Sequence, residues 1–148
     1  MTESATNITR VVVDASVAVK WFSKEENSDK AESLLNMNHL SQLSIYAPNL
    51  LIYETGNALW KGKKIDHDIL INDMDVLFDS NIEFIPLDKS LIQSAASLMP
   101  KYDLTFYDAA YVGLACILKT PLVTANIKGH EKIKEVEIIE LKEFRMPS

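Results

Sequence analysis

Short apolar segments rich in β-branched residues recur at 10–14, 44–47, 82–87, 121–125 and 136–141, with helix-period patterns filling the intervals. This alternation constrains the fold most, because consecutive strands separated by a helix's length of chain pair in parallel. A parallel sheet must then be covered on both faces. The helical patterns occupy 16–22, 28–39, 48–61, 66–79, 88–99 and 105–118. Ala31, Leu34 and Leu35 share one face of the second. Pro48 opens the third and Gly62 stops it. Leu70, Met74, Leu77 and Phe78 line the fourth, and Leu91, Ile92, Ala95, Leu98 and Met99 the fifth, which Pro100 ends. The sixth is apolar on nearly all sides, so it belongs in the interior or at a subunit interface.

Three carboxylates interrupt this apolar text. Asp14 closes the run Val11-Val12-Val13, Glu54 lies in Tyr53-Glu54-Thr55-Gly56-Asn57-Ala58-Leu59, and Asp108 lies in Tyr107-Asp108-Ala109-Ala110-Tyr111. Burying three like charges together is untenable unless a positive group joins them, and a divalent cation is the simplest such group. Ligands of open parallel sheets gather beyond the carboxyl ends of the strands. Asp14 ends the first strand, and Asn126 follows the fourth. Glu54 falls about two turns into the helix after the second strand, and Asp108 in the first turn of the helix feeding the fourth. All four oxygen-bearing side chains are therefore expected at one edge. Each also has a local explanation: Asp14 as a helix cap, Thr105-x-x-Asp108 as a capping box, Glu54 as a solvated residue, Asn126 as a turn former.

The 148 residues suit one domain, 1–148, with 1–9 a flexible N-terminal tail. Apolar residues make up 47% and charged residues 24%, ordinary soluble usage with no stretch long enough to span a membrane. The polar first ten residues do not resemble a secretory signal. The one cysteine, Cys116, sits among apolar neighbours and reads as a buried structural thiol, in keeping with a reducing, cytoplasmic location. A net charge of −6 argues against nucleic-acid binding by overall attraction, though it leaves room for local basic patches. Lys61, Lys63 and Lys64 form one cluster and Lys128, Lys132 and Lys134 another, each most simply a solvated surface. His39, His67 and His130 lack ligand spacing and read as surface or loop residues.

Taken together, Val12-Val13-Asp14-Ala15-Ser16-Val17, Glu54-x-x-Asn57-Ala58-Leu59, Phe106-Tyr107-Asp108-Ala109-Ala110-Tyr111 and Leu122-Val123-Thr124-Ala125-Asn126 resemble the PIN-domain ribonucleases. The nearest subset is the VapC-type toxins of toxin–antitoxin pairs, and the likeness runs in order across residues 10–141. The resemblance implies an α/β class chain with a three-layer α/β/α PIN-like fold around a mostly parallel five-stranded sheet. It implies an endoribonuclease dependent on Mg²⁺ or Mn²⁺, a homodimer, an RNA substrate, and a VapB-type antitoxin that holds it inactive. Asp14, Glu54 and Asp108 match the acidic metal site, and Ser16 and Thr124 match hydroxyls beside it. Asn126 stands where the family usually has aspartate, so one negative charge is missing from the metal set. By this reading the three carboxylates and Asn126 hold the ion, Ser16 and Thr124 orient ligands or water, and metal-activated water attacks the phosphate.

Other readings are open. A PIN-like protein weakened by Asn126 would bind RNA or antitoxin with little or no nuclease activity. A phosphoacceptor receiver domain would use Asp88 and Thr124, but it needs an acidic pair where Asp14 stands alone. A haloacid-dehalogenase phosphatase needs a second aspartate where Ser16 stands.

Overall fold

The computed structural model describes residues 8–146. Most of the expected N-terminal tail, 1–7, lies outside them, while Ile8 packs on the core and the Thr9 carbonyl accepts from the Ser44 amide. Five strands form one sheet in the order β3-β2-β1-β4-β5. They are β1 (Arg10–Val13), β2 (Ser44–Pro48), β3 (Glu83–Ile85), β4 (Leu122–Thr124) and β5 (Ile138–Glu140), every pairing parallel. The helices are α1 (Ala15–Ala18), α2 (Ser28–His39), α3 (Leu50–Asn57), α4 (His67–Phe78), α5 (Lys89–Tyr102) and α6 (Phe106–Leu118).

The chain winds one way from β1 to β2 to β3 and the other way from β3 past β1 to β4; crossovers of one hand then put the helices of the two directions on opposite faces. Consecutive Val11, Val12 and Val13 are accordingly all fully buried, which a sheet wetted on one face would not permit. The two directions of winding part between β1 and β4. There the chain leaves both strand ends on opposite faces and opens a crevice.

Boundaries differ from expectation in places with clear causes. Pro48 is the last residue of β2, not a helix start; proline's missing amide is tolerated at a strand end. After Asn57 the helix widens into a π-type turn, Ala58–Gly62, with the Lys63 amide bonded to the Ala58 carbonyl. Pro100 does not end α5, which continues to Tyr102. Pro100 and Ala96, whose carbonyl loses its amide partner, are both exposed, so water can serve that carbonyl. Asp103, at φ 53°, is where the helix stops.

The burial expected for α6 is met inside the chain: Ala109 to Ala115 are all buried. One face meets β1, β2 and β4 and another lies on α5, where Gly113 allows close approach. A Cβ at 113 would stand 3.0 Å from the Ala95 amide nitrogen. Cys116 is half-buried rather than buried. Among the described residues, no helix is long and apolar enough to cross a membrane.

Candidate active site

Asp14 leaves β1 at its carboxyl end and caps α1, its Oδ1 accepting from the Ser16 amide at 3.1 Å. The capping role and the site role are thus the same geometry. Ser16 Oγ also donates to Oδ1, and Thr124 Oγ1, the last residue of β4, donates to Oδ2 at 2.6 Å. Ser16 Oγ in turn accepts from the Ala125 amide at 2.9 Å. Both hydroxyl protons are committed to Asp14, so the 3.2 Å approach of Ser16 Oγ to Thr124 Oγ1 is a consequence of shared service, not a bond. These links stitch the end of β1 to the end of β4 at the switch point.

Glu54 reaches the same place from the second turn of α3, where Tyr111 of α6 donates its phenol proton to Oε1 at 2.6 Å. Asp108 stands one helical turn before Tyr111. Its amide is capped by Thr105 Oγ1 at 3.1 Å, so half of the capping box is present. Asp14, Ser16, Glu54, Asp108, Tyr111 and Asn126 line one cavity of about 470 Å³. Every residue that the sequence assigned to the metal set is therefore on its wall. Thr124 lies buried beneath, touching Asp14.

Burial dominates the electrostatics of the site, with neighbouring negative charge second. Burial pushes the Asp14 carboxyl above its ordinary value, against the opposing hydrogen bonds of Ser16 and Thr124 and the charge of His130. Burial likewise raises Glu54; the Tyr111 hydrogen bond opposes this, and the charges of Asp108 and Asp14 add to it. The Tyr111 phenol is pushed far up by burial, then by Glu54, Asp14 and Asp108.

Asn126 makes its turn through the backbone. Its amide donates to Thr124 Oγ1 at 3.2 Å, and its carbonyl accepts from His130 Nδ1 at 3.1 Å. The side chain is left to the cavity wall. His130, expected as a surface or loop residue, does lie in the turn after β4, but it is buried and lines the site. His39 and His67 are exposed. Tyr111 was visible only as part of a motif, although its spacing of three from Asp108 places both on one helix face. Asp88 caps α5 through the Leu91 amide at 2.8 Å and is absent from the cavity, which removes the receiver-domain reading.

The donor set suits a hard divalent ion, being all oxygen and rich in like charge that a cation would relieve. Among the described residues no three acidic, histidine or cysteine side chains close into a finished ligand cage. The open cavity leaves room for water beside any ion held there.

Sequence and structure comparisons show the family and the fold. The PIN domain family model matches residues 11–136, and the chain belongs to the PIN-domain family. Ribonuclease VapC3 of Pyrobaculum aerophilum is 30% identical over 131 residues, spanning 83% of this chain and 94% of that protein. Among solved structures, VapBC2 from Rickettsia felis, bound to a DNA fragment from its promoter, aligns with TM-score 0.68 at 18% identity. That alignment covers 88% of this chain and 98% of the other. PAE2754 from Pyrobaculum aerophilum aligns with TM-score 0.63 at 26% identity, covering 91% and 92%.

Proposed function

We propose that this chain is a metal-dependent endoribonuclease, the toxin of a VapBC-type toxin–antitoxin pair, acting in the cytoplasm as a single PIN domain and as a homodimer. The kinship with a VapC ribonuclease supports the reaction class, and VapBC assemblies among the structural neighbours support an antitoxin partner. The observation that carries the site assignment is the meeting of Asp14, Glu54 and Asp108 around one cavity, with Asp14 held by Ser16 and Thr124.

Asp14, Glu54, Asp108 and the Asn126 side-chain carbonyl are the residues that would hold Mg²⁺ or Mn²⁺. Such an ion, when bound, lowers the pKa of water and offsets charge on the scissile phosphate. The chain's own contribution is orientation and proton handling. Ser16 and Thr124 fix both Asp14 oxygens in place, and Tyr111 fixes Glu54. In the metal-free chain, burial and then the charges of Asp108 and Asp14 raise the affinity of the Glu54 carboxylate for a proton, against the Tyr111 hydrogen bond.

Incubating the purified chain with RNA in Mg²⁺, in Mn²⁺ and in EDTA tests this. Cleavage in metal and none in EDTA is the expected result. A folded chain that leaves RNA intact under all three conditions would return the protein to the binding-only reading.

A further inference from the structure

The carboxylate cavity does not end at its own walls. Through Tyr102, Asp103 and Gly129 it continues into a second cavity of about 490 Å³, walled also by Lys101, Glu131 and Lys132. Through Glu54 it continues the other way into a third, of about 370 Å³, between Tyr53 and Tyr107. These two tyrosines are 75% and 58% exposed, unusual for aromatic side chains with no partner in the fold. On the opposite side, Lys128 lines the carboxylate cavity itself. Neither Lys128 nor Lys132 makes an ion pair among the described residues, whereas Lys20, Lys63 and Lys101 do.

We infer that the three cavities form one path for unpaired RNA, with phosphates held at Lys128 and Lys132 and a base stacked at Tyr53 and Tyr107. This deepens the ribonuclease reading and rests on it. Along the path, lysines stand at one end beside Asp103 and Glu131, the carboxylate set lies in the middle, and the two tyrosines stand at the other end. Phosphates adjoining the scissile bond find cations on one side only. The cavity on the other side is lined by no cation, but by two π-faces, which any unstacked base can use. A duplex cannot offer a base to that cavity without opening, so the path selects single strands or loops. It also reconciles a protein of net charge −6 with an RNA substrate, because attraction is local.

Binding is measured by fluorescence anisotropy in EDTA, where cleavage is stopped. The probes are a labelled RNA of mixed sequence, about a dozen nucleotides long to span a site of this kind, and the same strand in a duplex, each across a salt series. The wild-type chain is expected to favour the single strand. Lys128→Gln with Lys132→Gln should weaken binding and flatten its salt dependence by about one to two units of slope. Tyr53→Ala and Tyr107→Ala should each weaken it about fivefold or more, with the salt slope unchanged. Circular dichroism confirms folding, and Tyr→Phe variants, which keep the π-face, should retain affinity. Equal binding of duplex and single strand, or wild-type affinity in both alanine variants, would overturn the path. So would tyrosine variants that alter only self-association or antitoxin binding, since those faces would then serve a protein partner. Cleavage on adding Mn²⁺ is scored separately, so loss of the nuclease reading and loss of the path give different results.

Discussion

Asp14 accepts three hydrogen bonds from two residues and sits beside two further carboxylates, so its charge is held in place but not neutralised. Asp14→Asn or Asp108→Asn should lower RNA cleavage by about a hundredfold or more while the circular dichroism spectrum stays unchanged. Asparagine keeps one carbonyl oxygen for the Ser16 contacts, and removing a like charge relieves Glu54. Wild-type cleavage rates in either variant would remove these residues from the site. Asn126 sets a second prediction. Its backbone makes the turn whatever the side chain is, so Asn126→Asp should fold and add a fourth charge at the cavity wall. Tighter Mn²⁺ binding by calorimetry, cleavage at lower metal concentration and some loss of metal-free stability are expected. Equal Mn²⁺ affinity in both proteins would place Asn126 outside the coordination sphere.

The helices carry the site by packing rather than by propensity. Glu54 and Tyr111 meet because α3 and α6 both start at the carboxyl edge of the sheet. The position of α6 depends on its seat against α5, where Gly113 faces the Ala95 backbone and Ser94 Oγ donates to the Gly113 carbonyl at 3.0 Å. Gly113→Val has no room there and should cost about 1–3 kcal/mol in chemical unfolding, with cleavage falling as α6 shifts. A variant as stable as the parent would mean that α5 can retreat without cost. Such contacts are not legible in a sequence. The fifth and sixth helical patterns were visible, but not that one glycine marks their closest approach. Pro100 illustrates the reverse case, where a residue that reads as a helix terminator lies within the helix because its environment is wet.

For the molecule as a whole, the raised carboxyls link stability to pH and metal. Asp14 and Glu54 take up protons in the folded chain above the ordinary 3.8 and 4.5, so the fold binds more protons than the unfolded chain in that window. Their contribution is therefore most favourable at low pH and declines as pH rises through the folded values. Glu25 acts in the opposite sense. Burial raises it, but Lys63 and Lys20 outweigh that and leave it lowered, so its stabilisation is lost only as pH falls below about 4.5. Without metal, melting near pH 5.5 should come no lower than at pH 8. The upward shift produced by Mn²⁺ should be larger at pH 8, where protons no longer compete for the carboxylates. A Mn²⁺ shift that grows on acidification, followed by calorimetry, would contradict a carboxylate site.

The order of strands and helices, the parallel sheet and the four edge residues could be read from the chain because each depends on local periodicity and on where a strand ends. Asp14 next to a valine run and Asn126 after Leu122-Val123-Thr124 needed only the rule that ligands gather at carboxyl ends. Tertiary structure alone decided the rest. Tyr111 reaches Glu54 across 57 positions and Thr124 reaches Asp14 across 110, distances over which sequence spacing carries no signal. His130 became a buried neighbour of the site only because the chain after β4 turns back on itself. The apolar surface of α6, whose sequence pointed toward a subunit interface more than an interior, is covered over Ala109 to Ala115 by the sheet and α5 of the same chain. Periodicity reports which face of an element avoids water, and only the packed chain reports what covers that face.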